Sequence, residues 1–63
     1  MPAYEICYLD HRGHLARSIS VEFESEMRAK VLAHAMKPAE CRQLEVWKGR
    51  TLIYSRPEQI IGL

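Results

Sequence analysis

Only one segment of this 63-residue chain, Ser25 to Met36, repeats with the period of a helix, and on either side of it lies a stretch that folds back on itself. Stepping about 100° per residue from Met27, the apolar residues Met27, Val31, Ala35, Leu32, Met36, Ala29 and Ala33 sweep about two thirds of the wheel, interrupted only by Arg28. Glu26, Lys30, His34 and Lys37 make the polar strip. Ser25 is placed to cap the first turn, Glu26 suits the positive end of the helix dipole, and Glu26 and Lys30 stand at the favourable four-residue spacing. Pro38 cannot continue the helix and pushes Lys37 out of the α region, so the helix ends near Met36. A helix of about a dozen residues is marginal alone, so packing must hold it.

Before the helix, Ala3 to Leu9 is strand-like, with Tyr4, Ile6 and Tyr8 on one parity and Ala3, Cys7 and Leu9 on the other. Asp10-His11-Arg12-Gly13 carries turn chemistry, and Leu15 to Phe23 alternates as a second strand. A three-residue loop with Gly13 left-handed sets Leu9 against Leu15 and Tyr4 against Ser20. That register groups Cys7, Leu9, Leu15, Ile19 and Val21 on one face and Tyr4, Ile6 and Tyr8 on the other. A one-residue slip would exchange the faces of the first strand.

After a connector from Pro38 to Arg42, Gln43 to Trp47 and Arg50 to Tyr54 are strands joined by a Lys48-Gly49 turn. Trp47 then faces Arg50 and Glu45 faces Leu52. Leu44, Val46, Thr51 and Ile53 share one face, and Glu45, Trp47, Arg50, Leu52 and Tyr54 share the other. The predicted fold is α+β: a single ββαββ domain over 1–63, with a four-stranded antiparallel sheet in the order 2-1-3-4 and one helix packed on one face. Residues 57–63 form a tail in which Ile60, Ile61 and Leu63 could dock on a neighbour.

The succession of hairpin, helix and hairpin, with Asp10-His11-Arg12-Gly13-His14-Leu15 early and Leu44-Glu45-Val46-Trp47-Lys48-Gly49-Arg50-Thr51-Leu52-Ile53 late, resembles short uncharacterised bacterial proteins. The resemblance covers most of the chain and rests on fold signals. It implies the ββαββ arrangement and no activity, substrate or site.

With the helix on one face, Tyr4, Ile6, Tyr8, Trp47, Leu52 and Tyr54 are expected on the uncovered face, with Arg50 beside Trp47. An apolar patch of more than a few hundred Å² marks a contact site. A chain this short buries only about 60% of its unfolded surface, so a second copy stacked on that face would enlarge its core. The expectation is a small non-enzymatic protein-interaction or regulatory module that forms a homodimer through Tyr4, Ile6, Tyr8, Trp47, Arg50, Leu52 and Tyr54, with another protein as a further candidate partner. The plainer reading is that these are ordinary cross-strand pairs. The alternative is single-stranded nucleic acid, its bases stacked on the aromatics and its phosphates met by Arg12, Arg17, Arg50 and Arg56. A formal net charge of +1 argues against it, because phosphate neutralisation sets most of such affinity.

No metal or cofactor is expected, since His11, His14, His34, Cys7 and Cys41 match no zinc spacing. Two cysteines are too few for a disulfide framework and read as reduced thiols in a cytoplasmic protein. No apolar run reaches the length of a secretory signal or a membrane span. Met1-Pro2 ahead of a strand resembles the start of tautomerases that use an amino-terminal proline as base, but that fold needs a helix where Leu15 to Phe23 alternates with period two. With no glycine-rich phosphate loop, paired carboxylates or Ser/His/Asp set in view, no enzyme is expected.

Overall fold

The computed structural model describes residues 2–57. Strands β1 (Ala3–Leu9) and β2 (Leu15–Glu22) precede helix α1 (Glu26–Ala35), and β3 (Gln43–Lys48) and β4 (Thr51–Arg56) follow it. The strands form one antiparallel sheet in the order β2-β1-β3-β4, so the chain is the α+β, ββαββ domain its periodicities imply. The tail lies outside the described residues beyond Pro57.

Local chemistry sets the ends of these elements. Ser25 is extended (φ −142°, ψ 155°) and its hydroxyl accepts from the Arg28 amide at 3.4 Å, which satisfies one of the helix's orphan donors. In the first turn the Asp10 carboxylate accepts from the amides of Arg12 and His14 at 2.9 and 3.0 Å. Gly13 takes the left-handed conformation (φ 81°) that closes a three-residue loop.

Two single-residue bulges decide which side chains meet the helix. Leu9 faces Leu15 as expected, but Ala16 is then extra, so Tyr8 faces Arg17, Ile6 faces Ile19, and Tyr4 faces Val21 rather than Ser20. By periodicity Tyr4, Ile6 and Tyr8 belong to the uncovered face; instead they lie beneath α1 in the core, at 2%, 0% and 0% exposure. The shifted register puts the large apolar residues of β1 on the same side as Ile19 and Val21, where the helix can cover them. The alternative would bury Ala3, Cys7 and Leu9 and leave two tyrosines and an isoleucine in water, which the hydrophobic term disfavours.

In the second hairpin the turn is Gly49-Arg50 rather than Lys48-Gly49, since Lys48 faces Thr51. Trp47 therefore faces Leu52 and not Arg50, and Arg50 is exposed in the turn. Ile53 is the extra residue in β4, so Val46 faces Tyr54 and Leu44 faces Arg56. Tyr54 is thereby carried to the helix side of the sheet, away from the face periodicity assigns it.

The core consists of Tyr4, Ile6, Tyr8, Ala29, Ala33, Cys41, Leu44 and Val46. Ala29 and Ala33 are the helix's buried residues, and their small side chains let the rings of β1 approach its backbone. Tyr8 uses that proximity, donating its hydroxyl hydrogen to the Ala33 carbonyl at 2.6 Å. That carbonyl is one of the last four of the helix, which find no partner within it, so the buried hydroxyl and the helix end satisfy each other. Burial pushes the Tyr8 phenol up from its ordinary value, with Arg17 opposing the shift.

Candidate functional site

The uncovered face of the sheet mixes polar and apolar residues. Across its middle, the pairings align Ser20, Glu5, Trp47 and Leu52 in one row and Ser18, Cys7, Glu45 and Ser55 in the next. Ser18 donates to Glu5 at 2.7 Å, and Glu45 accepts from the Trp47 indole at 3.1 Å and from Gln43 at 3.3 Å. Of the residues expected to meet a partner there, only Trp47 and Leu52 remain on this face, and both are half-buried. Burial pushes the Cys7 thiol up from its ordinary value; a hydrogen bond with Ser18 opposes this, and the charges of Glu5 and Glu45 add to it. A raised thiol pKa lowers the share of thiolate, which is the nucleophilic form.

The two flanks of α1 differ. Toward β4 the helix is closed by a polar and aromatic clamp. His34 Nε2 lies 2.6 Å from the Tyr54 hydroxyl, and the two rings meet edge to face with centroids 5.7 Å apart. The Lys30 ammonium and the Arg56 guanidinium stand 5.1 and 4.4 Å from the centre of the same tyrosine ring, within cation–π range.

Toward β2 the helix leaves an apolar groove of about 330 Å³ lined by Phe23, Met27, Arg28, Val31, Leu32 and Ala35. Met27 and Val31 are 69% and 62% exposed, although they belong to the helix's apolar arc. On β2, Ile19 and Val21 pack against the core and are half-buried. The arc's excessive width, read from Met27 round to Ala33, is the sequence signal for this surface: one short helix on one sheet cannot bury so broad a stripe.

The strand beside the groove has a free edge. From Arg17 to Glu22, β2 pairs with β1 without interruption, and among the described residues no strand lies on its other side. At the opposite margin of the sheet, β4 is broken mid-length by the Ile53 bulge. Bulges are a common means of blunting an exposed edge, and β2 has none over this span. Charge runs along it in one direction, with Arg12 and Arg17 exposed at its start and Glu22, Glu24 and Glu26 exposed at and beyond its end.

Among the described residues no three His, Cys, Asp or Glu side chains are placed to hold a metal ion, and no helix is long and apolar enough to cross a membrane. Cys7 and Cys41 are both free thiols. No protein-family model matches the chain, and neither does any curated protein or solved structure.

Proposed function

We propose that this chain is a small non-enzymatic protein-interaction module that self-associates through its β2 side, where the free strand edge and the apolar groove adjoin. The observation that carries this reading is the exposure of Met27 and Val31 in a groove they share with half-buried Phe23. Contiguous apolar surface next to unpaired backbone is costly in water and is found where a partner docks. The sheet's uncovered face is a poorer candidate, because Tyr4, Ile6 and Tyr8 are covered by the chain's own helix and Glu45 and Glu5 already occupy their neighbours' donors. Two free thiols suit a reducing, cytoplasmic setting.

Sedimentation of the full chain from micromolar to millimolar concentration tests the reading. A dimer that grows with concentration is expected, and a strict monomer throughout the range overturns it.

A further inference from the structure

Resting on that reading, we infer that the partner at this surface is a second copy of the chain, joined by antiparallel pairing of β2 with β2 about a two-fold axis at Ser20. The direction of the free hydrogen-bonding groups follows from one contact. The Phe23 amide donates to the Pro2 carbonyl at 3.3 Å, continuing the ladder one step past the pair of Ala3 and Glu22. In an antiparallel strand the amides alternate between the two edges, so Val21, Ile19 and Arg17 also point toward β1, while Glu22, Ser20 and Ser18 point outward.

A two-fold axis perpendicular to the sheet pairs residues of equal parity and keeps the helices of both copies on one side. Centred on Ser20, it sets Ser20 against its own copy and Ser18 against Glu22 of the second copy, which uses every outward amide between Arg17 and Glu22. On the helix side the same register sets Ile19 against Val21 of the second copy. Arg17 then falls across from Phe23, between Glu22 and Glu24, of the second copy. The basic start of each strand lies nearest the acidic end of the other. Arg17 is on the helix side and Glu22 on the uncovered face, so this attraction is long-range, and parallel pairing would set like charges together instead.

The two grooves, lined in part by Phe23, Met27 and Val31, would lie on the same side of the joined sheet as Ile19 and Val21 of both copies. The outer edges of the resulting eight-stranded sheet are both β4, each interrupted by its Ile53 bulge. Growth therefore stops at two copies instead of continuing into a fibre.

Amide hydrogen exchange on the full chain, followed by NMR across the dimerisation range, tests this directly. Where nine-tenths of the chains are paired, Ser18, Ser20 and Glu22 are expected to exchange about tenfold more slowly than in the monomer, because only the remaining tenth is open. Ser20→Pro is the companion variant. It removes an outward donor while leaving the inward amides of Ile19 and Val21 to report an intact fold, and it is expected to raise the dimer Kd by about a hundredfold or more. A dimer in which those three amides stay fast and Ser20→Pro associates normally overturns the β2 pairing while leaving self-association intact, with sensitivity to Val31→Lys then marking the helix flank as the contact. A strict monomer overturns both.

Discussion

The two sides of α1 face the same sheet, yet one is finished and the other is not. Toward β4, a tyrosine brought inward by a bulge meets a histidine, a lysine and an arginine, and every long side chain there has something to lie against. Toward β2, the helix presents methionine and valine in an open groove, and among the described residues that strand has no neighbour on its outer side. Net apolar content does not separate the flanks, because Tyr54 is as large a hydrophobe as any on the open side. The difference is that the closed flank has polar atoms satisfied within the chain, whereas on the other flank aliphatic side chains face water and the outer backbone of β2 has no strand partner among the described residues. Among the described residues, one flank of the helix is closed and the other is open.

The contrast predicts opposite outcomes for substitutions on one helix and its neighbours. Tyr54→Ala should be the most damaging to stability, by about 2 to 3 kcal/mol, since it removes a half-buried ring together with its bond to His34 and two cation–π contacts. Denaturant titration would show this, and an unchanged midpoint would mean that the β4 flank is not the closed one. Tyr8→Phe should cost about 1 to 3 kcal/mol by orphaning the Ala33 carbonyl beneath the helix, with a thermal midpoint lower by several degrees. If the variant melts with the wild type, that carbonyl finds another partner and the helix end is less tightly held than the 2.6 Å contact implies.

Val31→Lys on the open flank should change monomer stability by no more than about 0.5 kcal/mol, as expected for an exposed site. It should weaken the dimer less than Ser20→Pro does. A large loss of monomer stability would show that the groove is part of the core.

Acid gives the smallest effect, followed at the turn between β1 and β2. The Asp10 carboxyl lies below its ordinary range, chiefly because the His14 amide bonds its charged form, with the Arg12 amide and the charges of His14 and His11 adding to the shift and desolvation opposing it. A carboxyl lowered by folding lends stability that is fully present above its unfolded pKa and is lost as pH falls through the folded one. The amide signals of Arg12 and His14 should therefore titrate below the range of a free aspartate. Titration at the ordinary value would remove Asp10 as the anchor of this turn.

Much of the architecture was legible residue by residue. Ser25, Pro38, Gly13 and the alternation of Leu15 to Phe23 each act through neighbours a few positions away, so the helix ends, the first turn and the strand order can be argued from the chain. The faces could not be argued so, because Ala16 and Ile53 carry no local mark of a bulge and each reverses the parity of everything beyond it. One signal was available for β1: Ala29 and Ala33, a turn apart on the helix, leave room for rings and not for a second layer of aliphatic bulk. The overly wide apolar arc likewise pointed to an unfinished helix flank, without saying which.

Periodicity and capping chemistry are short-range, and they suffice to make this chain two hairpins and a helix. Which side of the sheet that helix roofs, and hence whether the tyrosines serve a partner or the core, depends on comparing the apolar area that two registers bury. That comparison involves Tyr4, Val21, Ala33 and Val46 together, residues far apart along the chain, and so it is settled only when the elements pack.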